Sequence, residues 1–337
     1  MIMATRKGSY TLVLDNKPVI VGWAAVVGKK EAEGPLKDSF DKIYYDTMAG
    51  QDTWEKAESH LQKEAVSLAL GKANVKAEQV NMIFAGDLLN QCISSCFGLR
   101  SFDIPFLGQY GACSTMAQTL LLSALFVDTG CADYAAAVTS SHFCSAERQF
   151  RFPLEYGGQR TPTAQWTVTG SGCALVGSKG EGPKVEAVTI GKIVDLGVKD
   201  ANNMGAAMAP AAAQVIKNYL TDTNHKPSDF DLIITGDLGE VGSRLLCELL
   251  LKDNLDIKSR HSDCGMLIYD RKNQDVHAGG SGCGCSASVL CSYVLNNMQK
   301  KNAHDVLFAA TGALMSPTSS QQGESIPGIA HLVHISA

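Results

Sequence analysis

The chain has 337 residues, 45% of them apolar and 19% charged, a balance that suits a soluble globular protein with a substantial core and excludes a disordered or fibrous one. A formal net charge of -5 excludes broad, sequence-independent nucleic-acid binding, which needs clustered Lys and Arg; the short runs Lys29-Lys30 and Lys300-Lys301 read as solvated surface. The longest apolar stretches, from Leu120 to Val127 and from Tyr134 to Val138, are far too short to span a membrane, so any membrane association is expected to be peripheral.

The opening run Thr11-Leu12-Val13-Leu14 is too short for a secretory h-region and has no small-residue cleavage site, so no signal peptide is expected. Further along, the segment from His60 to Leu88 reads as a helix, a polar turn and a strand ending in Gly-Asp-Leu. It aligns without a gap, at an offset of 150, on the segment from Pro210 to Leu238, so that Asn74 falls on Asn224, Lys76 on Lys226, Val80 on Phe230 and Asp87 on Asp237. A second match at an offset of 172 sets Cys113-Ser114 on Cys285-Ser286, Asp133 on Asp305 and Thr139 on Thr311. Each copy reads as turn, helix and strand: Ser114 to Thr129 then Tyr134 to Thr139, and Ser286 to Asn302 then Val306 to Thr311. The change of offset implies about twenty extra residues in the second copy, expected between Asp253 and His277, where Asp270 to Gln274 carry turn residues.

Gly111-Ala112 leads Cys113 into the helix near Ser114. That predicts a sulfur in the positive field of a helix N-terminus with a lowered thiol pKa, against the alternative of a buried packing cysteine. His142 ends the following strand and is a candidate donor to a ligand carboxylate, or else a hydrogen-bonded structural histidine. Beyond it, Arg148 and Arg151 stand between aromatics, with Arg160 a little later. Guanidinium forks suit planar dicarboxylates and adjacent rings could stack on a ligand ring; the plainer reading is a surface loop.

Ser178 to Pro183 forms a Gly- and Pro-bearing connector, giving an amino-terminal half over 1–179 and a carboxy-terminal half over 180–337. Alternating strands and helices in both halves predict mostly parallel sheets covered by helices, with ligands outside the carboxyl ends of strands. Asp87 and Asp237 end equivalent strands and are candidates for the pocket, although Asp after Gly is also an ordinary turn-former. The glycine-rich turn from Gly279 to Gly284 offers backbone N–H groups for an anion. Eleven cysteines, an odd number without scaffold spacing, suit a reducing compartment. The spacing of Cys264, Cys283, Cys285 and Cys291 is poor for zinc, and no metal or cofactor is expected.

The duplicated α/β half, the Gly-Ala-Cys-Ser turn and its glycine-rich counterpart resemble the thiolase and ketoacyl synthase superfamily. The strings KPVIVGWAAVVGKKEAEGPL, AGDLLNQ, GACST, SSHFCSAERQFRFPLEYGGQ, TGDLGEVGS, AGGSGCGCSA and ATGALMSPTSSQQGESIP, spread over nearly the whole chain, resemble the stage V sporulation protein AD family. The resemblance implies an α/β thiolase-like fold of two pseudo-repeated halves, each with a mostly parallel five-stranded sheet, layered α-β-α-β-α. It implies a dipicolinic acid binding component, with calcium as a companion ion, that works beside integral-membrane channel subunits at the spore inner membrane in sporulation and germination. A homodimer is a further implication of the fold.

In single-cysteine ketoacyl synthases a His follows the strand that matches Ile233-Ile234-Thr235 and an Asn begins the turn that matches Gly280 to Ser286. Here Gly236-Asp237 and Ser281 stand in those places, so the chain is expected to bind a small acid without condensing acyl groups, since a thiolate alone manages neither the proton nor the oxyanion. The expected pocket gathers Cys113, His142, Asp87, Asp237, Ser281, Arg148 and Arg151. The competing readings are an active Cys113-dependent condensing enzyme and a structural scaffold with a vestigial pocket.

Overall fold

The computed structural model describes residues 4–150 and 160–337. In chain order the first half comprises β1 (Thr5–Lys7), β2 (Thr11–Val13), β3 (Val19–Gly28), α1 (Lys29–Ala32), β4 (Lys42–Tyr44), α2 (Trp54–Ala73), β5 (Met82–Gly86) and α3 (Ile93–Leu99). It continues with β6 (Phe106–Gln109), α4 (Thr115–Asp128), β7 (Tyr134–Ser141), α5 (Phe143–Phe150), β8 (Trp166–Thr167) and β9 (Gly170–Gly177). The second half opens with β10 (Lys184–Thr189), α6 (Met204–Thr223), β11 (Leu232–Thr235), α7 (Gly239–Lys252), β12 (His261–Asp263) and α8 (Cys264–Leu267). It closes with β13 (Gly280–Ser281), α9 (Cys283–Val289), a π-helical turn into α10 (Leu295–Gln299), β14 (Asp305–Ala313), α11 (Pro317–Gln321) and β15 (Gly328–Ser336).

The repeat is a repeat of structure. α2 and α6 are 20-residue helices whose first residues, Trp54 and Met204, keep the offset of 150. The strands run β6-β5-β7-β9-β3 in one half and β12-β11-β14-β15-β10 in the other. In each group the reversed strand is β9 or β15, which pairs antiparallel on both sides, while the other four share a direction. The pairing of Lys184 with Val19 stitches the two groups together.

Five layers follow from where apolar side chains fall. One cluster fills the centre: Met116, Leu120 and Ala124 of α4 and Ala287, Leu290 and Leu295 of the α9–α10 run pack between Phe84 and Ala137 on one sheet and Phe308 and Val333 on the other. The outer face of the first sheet is covered by α2 through Leu61, Ala65 and Ala69, and that of the second by α6 through Met208, Ala212 and Ile216. Central helices must be apolar all round, because each faces a sheet on two sides; α4 reads TMAQTLLLSALFVD accordingly. Close approach of α9 to β9 needs Gly172, where a Cβ would lie 2.3 Å from the Ala287 carbonyl oxygen. The second-half insertion falls mainly between β12 and α9, where α8, the turn at Asp270 to Gln274 and β13 have no counterpart among the described residues of the first half.

Candidate functional site

The cavity that carries the site has a volume of about 420 Å³ and opens between the halves. The first half supplies Leu88 just beyond β5, Tyr110, Ala112 and Cys113 ahead of α4, Ala146, Glu147 and Phe150 of α5, and Thr167 of β8. The second half supplies Met204 at the start of α6, Ser281 of β13, Ala313 to Ser316 at the end of β14, and Ser319 of α11. The cavity therefore lies beyond the carboxyl ends of β5 and β14, as the sheet pattern predicts. No Lys, Arg, His or Asn is among the described lining residues.

Cys113 sits in the 3-10 turn Ala112–Ser114 that opens α4, 7% exposed and at the cavity wall. Ala112 takes a left-handed φ of 51° to make the turn, and Ser114 closes it by donating its N–H and hydroxyl to the Gly111 carbonyl at 3.2 and 2.7 Å. The expected activation of the thiol is corrected by the environment. Burial pushes the Cys113 pKa well above its ordinary 9.0, and the Asp237 carboxyl, which accepts from the thiol, pushes the same way. A helix end cannot lower a thiol pKa against desolvation and an adjacent carboxylate.

Asp237 reaches that sulfur from the loop after β11 and is fully buried. It accepts from the Gly282 N–H at 2.9 Å and the Thr311 hydroxyl at 2.8 Å, besides Cys113. Burial nonetheless raises its pKa to about 7, with Asp263 nearby adding to the rise. Asp263 organises the same loop by accepting from the Thr235 hydroxyl at 2.7 Å and the N–H groups of Leu238 and Gly239 at 2.8 and 3.0 Å. The glycine-rich turn differs from expectation in the same way. Gly282 donates to Asp237, and Gly284 to the Ser141 hydroxyl at 3.1 Å, so both N–H groups already have protein acceptors. Ser281 does line the cavity, 3% exposed and paired with Thr167.

The other expected site residues are placed elsewhere. Asp87 is fully buried but turns away from the cavity, accepting from Leu89 N–H at 2.9 Å and from the N–H and hydroxyl of Ser95 at 2.9 and 2.6 Å. The symmetry that sets it opposite Asp237 is kept in the backbone and broken in the side chains. His142 faces a separate cavity of about 300 Å³. Its Nδ1 accepts from the Cys144 N–H at 3.2 Å, which leaves Nε2 to donate to the Thr47 carbonyl at 2.8 Å; burial holds its pKa below the ordinary value. Arg148 points outward to an ion pair with Glu55 and lies 5.6 Å from the Trp54 ring centroid. Arg160 lies 5.0 Å from the Trp166 ring centroid and also leaves the cavity wall. Arg151 lies outside the described residues. Cys264, Cys283, Cys285 and Cys291 are buried free thiols, and no group of three or more metal-ligating side chains occurs among the described residues.

Sequence reasoning missed Glu147, Thr167, Tyr110, Ser316 and Ser319. Glu147 is 2% exposed and accepts from the Thr167 hydroxyl at 3.0 Å. Its signal was available: Ala146, Glu147 and Phe150 share one face of a helix at spacings i, i+1, i+4. Glu58 was missed too; it accepts from the hydroxyls of Ser140 at 3.0 Å and Ser145 at 2.8 Å, and burial, with Asp87 nearby, lifts its pKa to about 8.

The family model described as stage V sporulation protein AD matches residues 8–336. Stage V sporulation protein AD of Bacillus subtilis is 44% identical over 324 residues, covering 96% of each chain. Among solved structures, 3-oxoacyl-[acyl-carrier-protein] synthase III of Aquifex aeolicus has a TM-score of 0.59 at 13% identity over 95% of this chain and 100% of its own. Cerulenin-bound OleA from Xanthomonas campestris has a TM-score of 0.61 at 11% identity over 96% of this chain and 100% of its own. The tetronic acid condensing enzyme AbyA1 has one of 0.61 at 15% identity over 95% of this chain and 100% of its own. At those identities the structural likeness establishes the thiolase-like fold.

Proposed function

The chain belongs to the stage V sporulation protein AD family, and from that premise we propose that it is a non-catalytic binding component for dipicolinic acid in the channel that moves this acid across the spore inner membrane. It acts in uptake during sporulation and release in germination, bound peripherally beside integral-membrane subunits. No helix among the described residues is long and apolar enough to cross a membrane, in keeping with such a peripheral role.

One observation carries the absence of turnover: the group facing the Cys113 sulfur is the Asp237 carboxyl, where acyl transfer needs an imidazole. The Asp237 pKa near 7 lies below that of the thiol, so the proton rests on sulfur at equilibrium and the nucleophile stays masked. A carboxylate there also opposes the oxyanion that condensation must stabilise. The cavity keeps the size and the mixed wall of a small-molecule site, with hydroxyls of Tyr110, Thr167, Ser281, Ser316 and Ser319 beside an apolar floor of Leu88, Phe150, Met204 and Met315. Because Glu147 and Asp237 are acidic, a dicarboxylate enters most favourably with its charge reduced by protonation or by a bound Ca²⁺.

Isothermal titration of the full chain with dipicolinate and with pyridine-2-carboxylate tests the binding. A saturable heat for dipicolinate is expected, reduced about tenfold in affinity or more by Met315→Trp; equal or absent heats for the two acids count against it. Intact-protein mass spectrometry after incubation with acyl-CoA is expected to give no adduct. An adduct that disappears in Cys113→Ala restores the condensing-enzyme reading.

A further inference from the structure

A groove of about 590 Å³, sharing no lining residue with the Cys113 cavity, runs between α2 and α3. Lys56, Ser59 and Lys63 line it from α2, and their spacing of i, i+3 and i+7 sets them in one stripe of that helix. Arg100 and Ser101, in the turn after α3, line it from the other side. The two helices meet at Gly98, where a Cβ would lie 2.5 Å from the Ser59 carbonyl oxygen. Close packing of the backbones therefore holds the two walls in place.

The charge of the groove runs against that of the chain. The formal net charge is -5, yet the lining residues include Lys56, Lys63 and Arg100 against one acid, Glu55. That acid is already held in the ion pair with Arg148. Lys56 pairs with Asp52 at 3.0 Å, an exposed contact that solvent screens and a ligand can replace. Lys63 and Arg100 make no ion pair with any described residue, and the Arg100 guanidinium rests 4.8 Å from the centroid of the Phe97 ring. His60, also in the wall, is engaged with the Tyr44 hydroxyl at 2.8 Å. The hydroxyls of Ser59 and Ser101 have no partner among the described residues. Lysine and arginine are charged throughout the neutral range, so the sign of the groove does not depend on a titration.

We propose that this groove is an anion site for a phosphate ester, whose charge is taken by Lys63 and Arg100 and whose oxygens accept from the hydroxyls of Ser59 and Ser101. The layout of the donors selects phosphate over carboxylate. One guanidinium fork satisfies the two oxygens of a carboxylate, whereas donors spread over both walls of a groove suit a tetrahedral group with three acceptor oxygens. The site is independent of the Cys113 cavity and of the ligand proposed for it.

The test is ³¹P NMR titration of the full chain with glycerol 3-phosphate, with succinate as a competitor of matched charge. Saturable binding is expected, weakened about tenfold or more in Lys63→Glu and in Arg100→Glu. It is expected unaltered in Lys300→Glu, which changes the net charge equally, and in Met315→Trp. Lys63 and Arg100 are both exposed, so the two groove variants keep the fold. Succinate is expected to displace the ester only at about tenfold higher concentration or more. Co-sedimentation with phosphatidylglycerol vesicles, against phosphatidylcholine vesicles as the neutral control, separates two sources of the group. Pelleting that is lost in Lys63→Glu assigns it to a lipid headgroup, and binding of the free ester without pelleting assigns it to a soluble ligand. The proposal is overturned by absence of both saturation and pelleting, by equal displacement by succinate, by indifference to both groove variants, or by an equal loss in Lys300→Glu.

Discussion

Asp237 takes hydrogen bonds from Gly282, Thr311 and Cys113 and still keeps its proton to about pH 7, because burial outweighs them. Its ordinary value is 3.8, so between those two pH values the unfolded chain releases a proton that the folded chain holds. Stability therefore falls as pH rises through that window and levels above it, by up to ~4 kcal/mol for this group. Glu31, Glu58 and Asp263, each raised by burial, slope the same way. In Asp237→Asn the decline in Tm between pH 5 and pH 8 is expected to shrink, measured by calorimetry; an unaltered decline means that Asp237 ionises freely. The same variant removes the carboxylate that opposes thiolate formation, so alkylation of Cys113 by iodoacetamide, followed on its peptide by mass spectrometry, is expected to speed up about tenfold. Unaltered labelling would show that burial alone masks the thiol. Of this site, Cys113, Asp237 and Ser281 were legible in the sequence because the repeat and the superfamily resemblance fix backbone positions. His142, Asp87 and Arg148 were misplaced because chain position does not say to which side of a strand end a side chain turns.

Helix ends show how the repeat writes itself into chemistry. Asn74 and Asn224 were paired by sequence alone, and each follows its helix in the left-handed conformation, at φ 52° and 58°. Asn tolerates that region better than other non-glycine residues, which cost roughly 1–2 kcal/mol there. Asn224→Ala is therefore expected to lower the urea midpoint by the equivalent of about 1 kcal/mol and Asn224→Gly to leave it within about half of that. An equal loss in both would mean that the side-chain amide matters and the backbone conformation does not. The strands and long helices were readable for the same reason, since two copies of a pattern constrain each other. The short pieces were not: α8, β13 and the π-helical turn after Val289 belong to the second half without a matching copy among the described residues of the first, and there insertion and close packing override local pattern.

At the scale of the molecule, both sheets end in a short edge strand, and the two edges differ. Among the described residues β6 pairs only with β5, and its Leu107 is 44% exposed, with Ile93 and Phe97 of α3 and Tyr110 at 42, 55 and 52%. An unpaired edge flanked by large apolar side chains invites a partner strand, and monomeric proteins usually blunt it with charge or a bulge. β12 instead reads His-Ser-Asp, a polar edge that does not. A two-fold pairing of β6 with β6 of a second copy would cover this strip and satisfy the free backbone groups at once, because antiparallel self-pairing is what an isologous interface allows. The wild-type chain is expected to sediment as a dimer at micromolar concentration and Leu107→Asp as a monomer with an unchanged far-ultraviolet spectrum. A wild-type monomer at that concentration removes the pairing. Since Tyr110 lines the Cys113 cavity and lies at the end of this same edge, the monomeric variant should also bind dipicolinate more weakly than the dimer, which ties the assembly of the molecule to the shape of its pocket.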